Sequence, residues 1–249
     1  LARITDYTLS QSNEDVEYVV RRGIIKREQI ECIGNGISTR RFTPRWPRDE
    51  VERELGFTSG RFRIGATGRL VQGKGFIDLL NAFADFQKSA GNAELLLIGG
   101  NIAQDIFPFQ RQFLARVKEL GLEQRVVVTG VTDCVEKHLA TCDIFVLRSY
   151  REGVPRALLE AMSMGLASVA TNIRGAREII VDGTNGLLFE PKDTKTLAGL
   201  LAKLYDDTAM RADIGRRGRE TVLNQFDEVR YVDCQVEAIN RLLQRCAQH

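Results

Sequence analysis

Short apolar runs recur along the middle of the chain, and their residues are hydrophobic at consecutive positions rather than at every second one. Helical patterns separate these runs, as in FIDLLNAFADF, where one helix face is apolar. Runs of this kind that alternate with helices are typical of a parallel sheet covered on both faces. The pattern therefore predicts an α/β protein, whose ligands bind at the carboxyl ends of the strands. The predicted strands are residues 62–67, 95–100, 126–129, 144–149, 168–171 and 186–189.

The two ends of the chain follow other patterns. TDYTLSQSNEDVEYVVRRG predicts one strand, a helix cap at Asn13 and a helix, which belong to a unit begun earlier. From Lys192 to Gln248 the pattern is nearly all helical, with no further strand. A preceding partner domain explains the isolated front; a self-contained small domain that starts with a strand is the alternative.

Composition and charge narrow the class of protein. The 249 residues include 35 basic and 33 acidic ones and are 43% hydrophobic, which is typical of a soluble globular protein and leaves no footprint for nucleic acid. The charge-free stretch 161–173 is too short and too polar to cross a membrane. We therefore expect no transmembrane helix and a cytoplasmic location, with peripheral attachment at the inner membrane face left open.

Cysteine and histidine usage argues against two kinds of site. The 5 cysteines form no CxxC pair and are odd in number, which disfavours a disulfide framework or a zinc site. His138 lies in a predicted helix, where packing is favoured over chemistry. A histidine base is therefore not expected.

A glycine-rich turn is the first candidate for chemistry. In GRLVQGKGF, residues 68–76, Gly68 opens a turn that carries Arg69 and Lys74 before a helix. Glycines allow backbone amides to approach an anion, and the two cations add charge, so the segment is a candidate diphosphate cradle. A common turn with two solvated cations explains it equally well. The overlapping IGATGRL also resembles a dinucleotide fingerprint, but Val71 replaces its last glycine, and no acidic residue closes the next strand.

The segment REGVPRALLEAMSMGLASVAT, residues 151–171, is the second candidate. Pro155 can start a helix and Gly165 can end it, with Glu152 before the helix and Glu160 inside it. The Gly153–Val154 turn leaves N–H groups free at the positive helix end, and carboxylates accept hydrogen bonds from hydroxyls. From spacing alone, two ordinary glutamates remain the simpler interpretation, and a hydrolase dyad is not assignable.

At this point the chain resembles the family 4 glycosyltransferases, whose mark is EGxPxxxLEAMxxG, here Glu152 to Glu160. GRLVQGKGF is similar to the phosphate-binding segment of that family, GNGIS to its interdomain turn, and GAREIIVDGTNGLLFEPKD to its following strand and loop. Together these segments cover most of residues 31–225.

The resemblance implies a fold and a set of residue roles. The fold would be the Rossmann-like C-terminal domain of a two-domain GT-B glycosyltransferase. Arg69 and Lys74 would clasp the donor diphosphate, and Glu160 the ribose hydroxyls. Glu152 would bind the donor sugar together with the backbone of Gly153, Val154 and Pro155, and Glu152, Arg69 and Lys74 would form the catalytic set. The donor-binding prediction also includes Gly68, Ser149 and Val131.

The resemblance further implies transfer with retention from a nucleoside diphosphate sugar, with no cofactor and no metal, since cations and a helix N-terminus stabilise the departing diphosphate. Residues 1–35 would be a remnant of the acceptor domain with the linker, and 36–225 the donor domain. Residues 226–249 would return to the missing half, with an apolar stripe on the helix from Asp227 to Cys246. That half would meet a glycan or lipid-linked acceptor.

Three positions depart from the family pattern: Gly34, Arg148 and Ala167. Arg148 stands where a proline often precedes Ser149, as either a donor contact or a surface charge. Two other functions stay open, a non-catalytic nucleotide-sugar-binding partner subunit and an NAD(P)-dependent oxidoreductase or epimerase.

Overall fold

The computed structural model describes residues 5–100 and 108–246. Residues 1–4 and 247–249 of the predicted end domains lie outside the described residues, whereas every predicted site residue lies within them. The elements are β1 (Thr8–Ser10), α1 (Asn13–Arg21), β2 (Ile30–Cys32), α2 (Arg48–Leu55), β3 (Phe62–Thr67), α3 (Phe76–Gln87), β4 (Ala93–Ile98), α4 (Pro108–Glu119), β5 (Val126–Val128), α5 (Val135–Ala140), β6 (Ile144–Leu147), α6 (Arg156–Ser163), β7 (Ala167–Thr171), α7 (Arg174–Arg177), β8 (Leu187–Phe189), α8 (Thr194–Asp206), α9 (Thr208–Gln225) and α10 (Glu228–Cys246).

Six parallel strands form the central sheet, in the order β5-β4-β3-β6-β7-β8. All six runs predicted as strands are strands, so the predicted α/β fold is confirmed. The chain runs outward from β3 to β5, returns to the middle at β6, and then runs outward to β8. β3 and β6 therefore mark the switch point, where diverging connections open a crevice at the carboxyl ends of the strands.

Helices cover both faces of this sheet, because its strands are apolar on both sides. In β4, Leu95 and Leu97 join one core cluster, and Leu96 and Ile98 join the other. The first cluster includes residues of α3, α4 and α8, and the second includes residues of α5, α6 and α7. The buried strand ends thus hold the loops of the crevice on a rigid base.

The N-terminal part forms a small unit of its own strands. β1 and β2 pair in parallel, with α1 between them in sequence. The predicted Asn13 cap is wrong by one residue: Ser12 caps α1, because its Oγ accepts from the Asp15 amide at 3.1 Å. Glu178, which follows α7, accepts from the Asn13 amide at 3.1 Å. The carboxylate of Glu178 therefore ties the start of α1 to the main sheet domain.

The C-terminal helix α10 confirms the predicted helix and packs beside the linker. Gly34 has a φ of +71°, and a Cβ there would lie 2.0 Å from the ring of Tyr231, so only glycine fits at this departure from the family pattern. The other face of the helix carries the expected apolar stripe. Its residues are 48% to 62% exposed: Val229, Val232, Val236, Ile239 and Leu243.

No helix in the described part of the chain is both long enough and apolar enough to span a membrane.

Candidate functional site

The loop between β3 and α3 forms the first wall of the crevice. It starts at Gly68, with a φ of +139°, and ends at Gly75, with a φ of +64°. A Cβ at position 75 would lie 2.2 Å from the carbonyl oxygen of Arg148, so glycine is required for the close packing of the two loops. The amide of Tyr150 donates to the carbonyl of Gly73 at 3.2 Å. The loops after β3 and β6 therefore form one unit.

The start of α6 forms the second wall. α6 begins directly after Pro155, and Gly165 follows its end with a φ of +80°, as the sequence predicts. In the part of the chain that the structure describes, no side chain caps this helix. Among the described residues, the amides of Gly153 and Val154 donate no hydrogen bond. The positive end of α6 thus offers free donors to an anion or a sugar oxygen.

Gly175, at the start of α7, holds the turn before α6 in place. Its Cβ position would lie 1.4 Å from the carbonyl oxygen of Gly153. No side chain fits there, so the carbonyl of Gly153 packs directly against the backbone of α7. The orientation of the free amides depends on this contact.

Lys74 and Glu152 meet across the two loops. The ammonium group of Lys74 donates to the Glu152 carboxylate, and the two side chains remain 28% and 19% exposed. A diphosphate entering the crevice would compete with Glu152 for the ammonium. The carboxylate it displaces would then be free to accept hydrogen bonds from a sugar.

Arg69 is not brought to this pair. Its side chain is exposed and lines a separate recess of about 530 Å³ with Phe109 and Gln112 of α4. It forms no ion pair within residues 5–100 and 108–246. Its role as a diphosphate ligand stays a prediction.

Arg148 and Ser149 lie beneath the loops. Each is only 1% exposed, so the surface-charge interpretation of Arg148 is wrong. The Arg148 guanidinium stacks on the ring of Phe76 at 3.6 Å and donates to the Thr67 carbonyl at 3.0 Å. The carbonyl of Ser149 accepts from the hydroxyl of Thr171 at 2.6 Å. Both residues therefore support the floor of the crevice.

Glu160 lies on α6 toward the β5–α5 connection. Burial raises the pKa of its carboxyl to about 7, while Arg156 and Arg41 favour its ionised form and Glu136 of α5 opposes it. Arg41 in turn donates to the Asp133 carbonyl at 2.5 Å. Val131, in the same connection, is 86% exposed. A half-buried carboxyl on α6 and an exposed apolar side chain in the β5–α5 connection are thus available as ligands on this part of the molecule.

A charged cleft of about 670 Å³ continues from the Lys74–Glu152 pair toward α1. Glu152 and Gly153 line one side of it, and Asp15 of α1 lies on the other. Three arginines line this cleft, Arg151, Arg174 and Arg177, and the sequence analysis singled out none of them. Arg174 and Arg177 lie in TNIRGAREII, where no spacing marks a site. Their ion pairs with Asp15 and Glu14, at 2.9 and 2.8 Å, draw α1 over the cleft.

The fold is a parallel α/β sheet, and the crevice at its switch point presents cations and free backbone amides. These features are typical of a protein that binds a phosphorylated ligand. The chain belongs to the family of glycosyl transferases group 1, whose sequence profile matches residues 47–221. This membership confirms the glycosyltransferase resemblance at the level of the group. It also removes the support for an oxidoreductase or epimerase.

Known relatives agree with this assignment. The capsular polysaccharide biosynthesis glycosyltransferase CapM of Staphylococcus aureus is 27% identical over 213 residues, which cover 84% of this chain and 54% of CapM. The UDP-Gal:alpha-D-GlcNAc-diphosphoundecaprenol alpha-1,3-galactosyltransferase of Escherichia coli is 25% identical over 237 residues, or 93% of this chain and 59% of the enzyme. The chain therefore spans little more than half the length of these relatives.

A solved structure shares the fold. HepE of Anabaena, in complex with UDP and glucose, matches with a TM-score of 0.87 at 24% identity, over 96% of this chain and 64% of that one. The match covers nearly the whole chain. It supports the predicted GT-B architecture.

Proposed function

We propose that this chain is the donor-binding half of a retaining family 4 glycosyltransferase, which transfers a sugar from a nucleoside diphosphate to a glycan or glycoconjugate. One observation carries the proposal: the ion pair of Lys74 and Glu152 lies beside the uncapped start of α6, at the switch point of the sheet. A cation, free amides and a carboxylate in one crevice suit the diphosphate and the hydroxyls of a nucleotide sugar.

The donor diphosphate takes Lys74 away from Glu152 and accepts from the amides of Gly153 and Val154. Arg69 has an exposed side chain on the same loop and closes on the diphosphate as the second cation. Glu152, once released, accepts from a hydroxyl of the donor sugar. Gly68 and Pro155 shape the two backbone walls, and Ser149 supports them from below.

Transfer breaks the bond between the sugar's anomeric carbon and the diphosphate oxygen, and the electron pair leaves with the diphosphate. Lys74 and the start of α6 stabilise this growing negative charge more than the charge of the bound donor, which lowers the barrier. The acceptor oxygen forms its bond on the same face, and its proton passes to the departing diphosphate. No histidine base is used; His138 is buried, and its Nδ1 lies 2.9 Å from the Cys134 carbonyl oxygen.

The other end of the nucleotide extends toward β5. Glu160 accepts from the ribose hydroxyls, and Val131 packs against the base. Support comes from the half-buried carboxyl of Glu160, whose pKa is raised to about 7 by desolvation, and from the exposed side chain of Val131.

Metal independence is part of the proposal, because Lys74 and the helix end supply the positive charge. In the described ranges, no group of three or more His, Cys, Asp or Glu residues is arranged to hold a metal ion. Transfer by the complete protein is expected to persist in excess EDTA; loss of activity that returns with Mg²⁺ or Mn²⁺ would contradict this part.

The acceptor is proposed to meet the site through residues beyond this chain. The Escherichia coli relative acts, by its name, on a diphosphoundecaprenol acceptor. A lipid-linked acceptor of that kind would place the protein at the inner membrane face. The acceptor would then approach the donor from the side of the charged cleft.

Calorimetric titration with UDP, GDP and ADP tests the donor site. UDP comes first, since it is bound in the structural neighbour HepE. The protein is expected to bind at least one of the three, and Lys74→Ala to weaken that binding at least about tenfold, because a charge-assisted hydrogen bond contributes about 1.5–3 kcal/mol. Lys88→Ala, which removes an exposed lysine of α3's end, is the matched control and should bind normally.

Two outcomes count against the proposal. Binding to none of the nucleotides would refute the donor site, and equal binding by the Lys74 and Lys88 variants would refute its location. Sugar transfer by the complete reading frame separates an enzyme from a partner subunit that binds the donor without turnover.

A further inference from the structure

At the floor of the crevice, several buried polar atoms have no hydrogen-bond partner within residues 5–100 and 108–246. They are Nε and Nη2 of Arg148, Oγ of Ser149 and Oγ1 of Thr67. All three residues lie at the carboxyl ends of β3 and β6. Unpaired buried polar groups cost free energy and are uncommon in folded proteins, so a cluster of them calls for a functional reason.

The geometry places the Arg148 guanidinium directly below the loop after β3. Its Nη2 atom lies 3.6 Å from the Cβ position of Gly68, the first residue of that loop. The ring of Phe76, at the start of α3, supports it from the other side at 3.6 Å. One hydrogen bond, from Nη1 to the Thr67 carbonyl at 3.0 Å, fixes its orientation.

The positive charge of Arg148 is not neutralised. Within the described residues it forms no salt bridge, and Glu152, which acts on it electrostatically, is already paired with Lys74. Burial lowers the pKa of Arg148 to about 9, so the side chain still carries its charge at neutral pH. A charge in such a low-dielectric position acts strongly on a neighbouring anion.

We propose that Arg148 is a further cation of the donor site, which draws the donor diphosphate onto the loop above it and stabilises the charge of the departing diphosphate. The inference rests on the proposed function. It makes the donor diphosphate the partner of Arg148, which stands where the family usually has a proline. Removing the charge should therefore weaken diphosphate binding and, at the same time, relieve an unfavourable buried charge in the ligand-free protein.

The test compares Arg148→Met, which keeps the volume but not the charge, with Arg148→Lys, which keeps the charge. Titrations use whichever of UDP, GDP and ADP binds the unchanged protein, the matching nucleoside, and inorganic pyrophosphate. Arg211→Met is the control, because Arg211 stacks on Phe62 at 5.1 Å, at the opposite end of β3. Thermal unfolding of each ligand-free variant is measured in parallel.

We expect Arg148→Met to weaken binding of the nucleoside diphosphate and of pyrophosphate about tenfold, with nucleoside binding unchanged and the melting temperature raised. Arg148→Lys should keep most of the diphosphate affinity. Arg211→Met should lower the melting temperature without affecting binding. A Lys variant that binds as weakly as the Met variant, with both melting at lower temperature, would show that Arg148 only packs the loop.

Unchanged diphosphate binding by Arg148→Met would also overturn the inference, while leaving the donor site intact. Failure of the unchanged protein to bind any nucleoside diphosphate or pyrophosphate would instead refute the proposed function itself. Should the Met variant not fold, Arg148→Gln, which keeps a donor for the Thr67 carbonyl, gives the neutral comparison.

Discussion

Glu160 shows how the position of a single residue sets its ionisation before a ligand arrives. Burial raises the pKa of its carboxyl to about 7, although Arg156 and Arg41 lie close enough to favour the charged form. A carboxylate accepts hydrogen bonds from both ribose hydroxyls, whereas a protonated carboxyl does so less well. Binding of the nucleotide is therefore expected to release a proton from Glu160 near neutral pH.

A pH series tests this role. Between pH 6 and 8, affinity for a nucleotide sugar should rise with pH in the unchanged protein, and it should be weaker and nearly independent of pH in Glu160→Gln. A nucleotide sugar is the right probe because its diphosphate has no ionisation in this range. Glu220→Gln, on an exposed ion pair of α9, is the matched control. Parallel pH profiles for Glu160→Gln and the unchanged protein would contradict the assignment.

The same residue predicts the sign of a stability change. The folded pKa of about 7 lies above the ordinary value of 4.5, so the contribution of Glu160 to stability is greatest below pH 4.5 and declines as the pH rises toward 7. The ligand-free Glu160→Gln variant should therefore gain melting temperature relative to the unchanged protein between pH 5 and 8. A difference in melting temperature that stays constant over that range would show that burial does not raise the pKa of Glu160.

At the scale of elements, the site depends on how closely two backbone turns approach each other. Gly153 turns the chain into α6, and its carbonyl oxygen occupies the space where a side chain of Gly175 would begin. α7 thus fixes the direction of the free amides at the start of α6. The donor site is in this sense a property of two packed loops and not only of its charged side chains.

Gly175→Ala is expected to displace this turn. The added Cβ would lie 1.4 Å from the Gly153 carbonyl oxygen, so the backbone must shift, at a cost of about 1–3 kcal/mol in the free energy of unfolding. Nucleotide affinity should fall with it. Gly199→Ala, in the exposed middle of α8 with no atom within 4 Å, is the control and should leave binding unchanged and stability equal or higher. Equal stability and affinity in the two variants would show that α7 accommodates the added Cβ without displacing the turn before α6.

The elements also show what sequence patterns can and cannot predict. Hydrophobic runs predicted all six strands of the sheet, because strands buried on both faces leave a strong local signal. Arg63 lies in one of these runs but is fully buried, paired with Glu52 at 2.5 Å and Glu94 at 2.6 Å. Such partners are distant in sequence, and no local pattern reveals them.

For the candidate site too, sequence motifs predicted some features and missed others. Its motifs placed Lys74 and Glu152 on facing loops, since the ends of parallel strands meet at one edge of a sheet. The outward position of Arg69 and the burial of Arg148 depend on side-chain packing across the switch point, which spacing does not encode.

At the scale of the whole molecule, two features support a further domain that packs against this chain. It spans little more than half the length of relatives such as CapM, of which it covers 54%. The apolar stripe of α10 is half exposed, while Ala238 on the opposite face is only 1% exposed. A regular stripe of this kind marks a surface that packs against another body, here proposed to be the acceptor domain of the complete reading frame.

Val236→Lys places a charge in the middle of this stripe, where the side chain is 50% exposed. In the 249-residue chain the change should alter the free energy of unfolding by no more than about 0.5 kcal/mol, because the site is on the surface. In the complete reading frame it should lower both the melting temperature and sugar transfer, since the lysine would be buried against the acceptor domain. Gln235→Lys adds the same charge beside the stripe and should affect neither.

Equal behaviour of the two variants in the complete protein would exclude this contact. A dimer of the 249-residue chain that only Val236→Lys dissociates would show instead that the stripe joins two copies of the chain.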